Sequence, residues 1–111
     1  MDAWEAAKLD GVDFHAVGHA PGWVLEIRER SRLTIHYNNG DDVVVDVYAT
    51  DIATDEDRRA LIFYARSETG DIRVTLSGKT CIDSSSGKAF GTSVLIELDS
   101  ARLQGCGKAL H

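Results

Sequence analysis

From Val12 onward the chain alternates apolar and polar positions. Phe14 and Ala16 stand against Asp13 and His15 up to Gly18; Trp23, Leu25 and Ile27 stand against Glu26 and Arg28. Leu33, Ile35 and Tyr37 repeat the pattern against Thr34 and His36. Further rows follow: Val43, Val45 and Val47, then Leu61, Phe63 and Ala65, then Ile72, Val74 and Leu76, then Val94, Ile96 and Leu98, and last Leu103. A period of two puts successive side chains on opposite faces of a strand, so each row predicts one half-buried strand.

Turn signals separate the rows. They are Pro21-Gly22, Asn38-Asn39-Gly40-Asp41, Glu68-Thr69-Gly70-Asp71 and Asp99-Ser100-Ala101, and Asn-Gly between alternating strands is a strong hairpin mark. Asp51 to Arg59 reads as a charged connection containing one helical turn capped by Thr54. Residues 1–11, with Trp4, Ala6, Ala7 and Leu9, read as a short helix or an N-terminal arm ahead of a single domain over 12–111. About eight short strands joined by tight turns predict an all-β fold, a small antiparallel up-and-down β-barrel. Eight strands close into a barrel that side chains just fill, or that holds one small ligand, and closure removes exposed edges.

Composition narrows the partners. The net charge of −6 argues against nucleic acid or an anionic membrane and favours a cationic partner. No apolar run approaches the roughly 18 residues of a spanning helix. Met1-Asp2-Ala3-Trp4 lacks the basic start and apolar stretch of a signal peptide, so export would require a leader or lipid anchor ahead of Met1.

Cys81 and Cys106 are the two cysteines. They are either buried free thiols or one disulfide of an oxidising compartment. Continuing the register of Ile72–Leu76 puts Cys81 on the outward set at that strand's end, and Cys106 shares outward parity with Gln104 and Lys108. That shared parity points to a rim disulfide, with Gly105 and Gly107 letting another backbone come close.

The Cys81–Phe90 loop offers the main candidate surface: Asp83, Ser84, Ser86, Gly87 and Lys88, in a segment held by a cysteine at one end and an aromatic residue at the other. Its plain alternative is a solvated hairpin loop whose Asp and Ser side chains bond their own backbone. No Gly-x-Ser-x-Gly turn exists and no histidine lies near in sequence, so no catalysis is expected of it. His15, His19 and His36 lack metal-ligand spacing, and no metal or cofactor is expected. Asp51 to Asp57 lacks the spacing of a calcium loop and reads as a solvated segment. Trp23, Tyr48, Phe63 and Tyr64 read as barrel core or as the lining of a ligand pocket, with Val43, Val45, Val47, Leu61 and Ile72 sufficient to fill a narrow interior.

Three stretches resemble a known group. Phe14 to Trp23 resembles the "A-x-G-N-E-P-[FG]-W" opening of a family of uncharacterised Gram-negative envelope lipoproteins. Cys81 to Phe90 is similar to that family's "C-x-D-S-M-S-G-x-x-[FY]", and Leu103 to Leu110 to its closing "Y-x-G-C-[GA]-x-x-L". His19-Ala20 stands where the family has Asn-Glu, and Ser85 where it has Met. More distantly, Ser86-Gly87-Lys88-Ala89-Phe90 resembles the "S-G-x-x-[YF]" loop of periplasmic and membrane-bound c-type lysozyme inhibitors, also small β-barrels. That resemblance implies that Ser86 enters a lysozyme cleft; the family's second, basic loop has no clear match in this sequence, and only the geometry of the fold could let Lys88 or Lys108 take its place. The expected function is therefore a non-catalytic periplasmic or outer-membrane-anchored binding module, monomeric or weakly dimeric, with a cationic, lysozyme-like protein partner. The alternatives are a carrier of a small apolar ligand in the barrel, or a structural or stress lipoprotein of the envelope.

Overall fold

A single sheet winds round and closes on itself. The computed structural model describes residues 3–19, 22–37, 42–55, 58–68, 70–98 and 101–110. After a helix α1 (Ala3–Leu9), the strands are β1 (Phe14–Gly18), β2 (Trp23–Arg28), β3 (Arg32–Tyr37), β4 (Asp42–Asp55), β5 (Arg58–Ser67), β6 (Gly70–Ser77), β7 (Cys81–Ile82), β8 (Ala89–Phe90), β9 (Thr92–Leu98) and β10 (Ala101–Ala109). Eight of them form a closed barrel in the order β1-β10-β9-β6-β5-β4-β3-β2, every pairing antiparallel. Each barrel strand lies beside its predecessor, and β10 returns to pair with β1, Phe14 opposite Ala109. The predicted all-β up-and-down barrel is what forms. The turns read at Pro21, Asn38–Asp41, Thr69 and Asp99–Ser100 involve positions outside the described residues.

The inward rows make one core. Leu25, Leu33, Ile35, Ala65, Val74 and Ile96 are fully buried within it, together with Phe63 and Trp23. Burying each large apolar side chain stabilises the barrel by about 2 kcal/mol. Glycines shape the wall around Trp23. A Cβ on Gly18 would fall 2.1 Å from the indole nitrogen, and one on Gly105 would fall 2.1 Å from the Val17 carbonyl and 2.7 Å from the indole. The close backbone approach expected at Gly105 is present, and the same missing side chains also seat the indole.

Two local expectations need correction. Residues 51–55 form no helical turn, because β4 runs on to Asp55 and β5 starts at Arg58, with Ile52 opposite Leu61 and Thr54 opposite Arg59. The ladder continues beyond the barrel wall as an exposed two-stranded extension, and its charged, solvent-facing positions imitate a loop in sequence. A register shift between Val47 and Ala49 lets β4 change its facing before that extension. Tyr48 is accordingly exposed rather than in the core, 6.5 Å from the ring of Tyr64 on the outer surface. Tyr64 follows the inward Phe63, so parity puts it outside.

The β2–β3 turn carries two non-glycine residues in the left-handed region, Glu29 and Arg30, each with φ 53. Asn and Gly are the usual occupants of such positions. Helix α1 ends at Leu9, and Gly11 just beyond it has a φ of 84 that permits the C-terminal cap, with the Val12 amide donating to the Ala7 carbonyl at 3.0 Å. Ala7, Val12 and Leu110 form a small second cluster with Trp4, which docks the helix on the outside of the barrel.

Candidate functional site: a hairpin pinned to the barrel wall

Cys81 does not sit at the end of β6, as its parity suggested. That strand stops at Ser77, and Cys81 opens a separate hairpin in which Cys81 pairs with Phe90 and Ile82 with Ala89. The hairpin lies on the outer wall, where Cys81 is bonded to Cys106 with Cα atoms 5.6 Å apart. Cys106 keeps its expected outward parity on β10, but the hairpin covers it and only 3% remains exposed.

Between the two short strands, Asp83 organises the loop. Its Oδ2 accepts from the Ser86 hydroxyl at 2.7 Å and from the Ser86 amide at 2.9 Å. The Asp83 amide donates to the Lys88 carbonyl at 2.9 Å, the Gly87 amide to the Asp83 carbonyl at 2.8 Å, and the Lys88 amide to the Ser86 hydroxyl at 3.2 Å. Gly87 has φ 74, a turn conformation suited to a residue without Cβ. Asp83 is therefore buried and serves to hold the loop, whereas Ser84, Ser86, Gly87 and Lys88 remain exposed. The Ser86 hydroxyl and amide, and after them His19, hold the Asp83 carboxyl below its ordinary value.

His19 was not expected here. It lies 64 residues away in sequence, yet its Nε2 donates to Asp83 Oδ1 at 3.0 Å and ties the hairpin to the end of β1. A small cleft of about 210 Å³ opens beside it, lined by His19, Asp83, Ser84, Ser93 and Gln104. Ser86 and His19 bond opposite oxygens of one carboxylate, so the serine hydroxyl is not directed at the imidazole.

The rest of the hairpin leans on aromatic contacts. Phe90 stacks on Trp4 of α1 with centroids 5.1 Å apart, and Trp4 meets His15 edge-on at 4.4 Å. Lys108 Nζ stands 5.2 Å from the Trp4 ring centroid. His15 is consequently buried to 3% exposure on the outer wall, not a surface group, and neither ring nitrogen has a hydrogen-bond partner. Burial pushes its pKa down, against the nearby Glu26 carboxylate at 3.7 Å; His36 and Lys108 add to the lowering.

His36 differs. Desolvation opposes its charge, but contacts to Asp42 at 2.9 Å and Glu26 at 3.2 Å outweigh it and raise the pKa. His15 and His36 thus flank the same Glu26 carboxylate from two sides, whereas His19 bonds Asp83. Among the described residues no three His, Cys, Asp or Glu side chains are grouped to hold a metal ion, and no helix is long and apolar enough to cross a membrane. Asp51 lies on the exposed β4 extension; Glu56 and Asp57 are outside the described residues.

What the fold and site define is a closed antiparallel barrel with a disulfide-pinned external hairpin. No protein-family model, no curated protein and no solved structure matches the chain.

Proposed function

We propose that this chain is a non-catalytic binding module of the cell envelope that meets a protein partner through the 83–88 loop, and that the partner is a cationic enzyme of the c-type lysozyme kind. One observation carries the reading: the loop is ordered before any partner arrives. The disulfide, the Asp83 bonds to Ser86 and the His19 contact fix its backbone while Ser84, Ser86 and Lys88 face solvent. A segment already fixed loses little entropy on binding. Ile82, 62% exposed beside the loop, supplies an apolar contact that the sequence reading did not single out. The net charge of −6 favours approach to a basic protein.

A non-catalytic role is supported by the separation of Ser86 from His19 across the Asp83 carboxylate, which leaves that serine without a histidine base and beside a carboxylate whose lowered pKa makes it a weak one. The disulfide fits an oxidising compartment, the periplasm or outer envelope. In this reading the chain is a relative of the envelope lipoproteins that its cysteine motifs resemble. The test is a cell-wall lysis assay with c-type lysozyme and rising amounts of oxidised protein. We expect dose-dependent inhibition, weakened by Ser86→Ala and by Lys88→Ala and unchanged by Asp51→Ala. Full lysis at large excess of the protein would remove the proposal.

A further inference from the structure

A second site lies away from the loop. The barrel interior is filled by its inward rows, but at the end where β1 begins a cavity of about 450 Å³ opens. Phe14, Leu61 and Leu76 form its floor side, continuing the core, and Ile52 on the β4 extension overlooks it at 57% exposure. Arg30 and Arg59 are the charged residues of the lining, with Ala60, Gly78 and Thr92 beside them.

Those two arginines are unlike most others in the chain. Arg28, Arg32, Arg66 and Arg73 each contact a carboxylate: Asp10, Asp46, Asp71 and Glu97 respectively. Among the described residues neither Arg30 nor Arg59 has such a partner, in a protein with 18 acidic against 12 basic residues. Each also occupies a position where another residue type would be easier to accommodate. Arg59 continues the inward row of Phe63 and Leu61, where an apolar residue would extend the core. Arg30 sits in a left-handed turn conformation with φ 53. Guanidinium groups without a carboxylate partner among the described residues, set beside hydrocarbon, suit a ligand with both an anionic head and an apolar body. The volume suits one small molecule rather than a polymer.

We propose that this end of the barrel binds a small amphiphilic carboxylate, its apolar body against Phe14, Leu61, Leu76 and Ile52 and its carboxylate met by Arg30 and Arg59. This site is independent of the 83–88 loop and goes beyond the protein-binding role.

Decanoate is the probe, titrated into the oxidised full chain by calorimetry, with decyltrimethylammonium as a ligand of equal chain length and opposite charge. We expect saturable one-to-one binding of decanoate, at least tenfold weaker binding of the cation, and about a tenfold loss for Arg30→Gln or Arg59→Gln. Arg102→Gln, near the opposite end of β10, should leave the affinity unchanged. All three variants change exposed side chains, and circular dichroism confirms that each is folded before titration. Absence of saturable decanoate binding to the wild type would overturn the proposal. Equal affinity in the Arg30→Gln/Arg59→Gln double variant, or equal affinity for the cation, would overturn it as well.

Discussion

The barrel wall and the hairpin pinned to it are held by different forces. In the wall, strand pairings close a complete ring around buried apolar rows, so each strand is supported from two sides and from within. The β7–β8 hairpin has two residue pairs, one disulfide, one aromatic stack and a single buried carboxylate. Cooperative burial makes the wall intolerant of change. Few, separable anchors make the hairpin a fixed but independently alterable surface, which is where a binding function can vary without endangering the fold.

The largest effect should come from the wall. Gly105→Ala brings a Cβ against the Val17 carbonyl and the Trp23 indole, and neither has room to retreat. We expect a loss of about 4 kcal/mol or more in chemical denaturation, or failure to fold. Stability within 1 kcal/mol of wild type would mean that the wall adjusts where we take it to be rigid.

Next comes the anchor of the hairpin. Replacing both cysteines by serine removes a cross-link of sequence separation 25, worth about 3.5 kcal/mol in the chain-entropy model. The sharper expectation concerns location. Hydrogen exchange should lose protection around Asp83–Lys88 while Leu33, Ile35 and Val74 stay protected. Uniform loss across the barrel would show that the two regions form one cooperative unit.

The smallest effect sits where the regions meet. His15 is buried beneath Trp4 with neither nitrogen hydrogen-bonded, so His15→Phe should be neutral or stabilising by about 1 kcal/mol. Its lowered pKa means that the folded protein binds fewer protons here than the unfolded chain. Stability from this site is present above the ordinary value of 6.5 and falls as pH drops below it toward the folded value. His36, with a raised pKa, acts oppositely: its contribution is present below 6.5 and lost as pH rises through its folded value. Unfolding curves at pH 5 and pH 7.5 should therefore show a smaller acid penalty in His15→Phe than in wild type. An unchanged penalty would show that His15 does not carry it.

Legibility in the sequence follows the same division. The barrel could be read because Leu25, Ile35, Phe63 and Val74 obey a period of two that the sheet imposes on all of them, and Cys106 inherited its facing from the same rule. The extension of β4 escaped because beyond the wall both faces meet solvent, so Asp51 and Thr54 carry no alternation to detect. The hairpin contacts escaped for another reason. His19 and Asp83, or Trp4 and Phe90, are joined by docking of separate elements, and no local pattern encodes that. Arg59 was legible in principle, as a charged residue in step with Leu61 and Phe63.

Titration calorimetry of c-type lysozyme against the oxidised protein and against the Cys81→Ser/Cys106→Ser variant decides whether the pinned loop binds. We expect saturable binding to the oxidised protein and at least tenfold weaker binding to the variant, because the loop must then be ordered at the expense of binding energy. No binding to the oxidised protein, or equal affinity for both forms, would contradict the view that a pinned loop on a rigid barrel is the working surface of this chain.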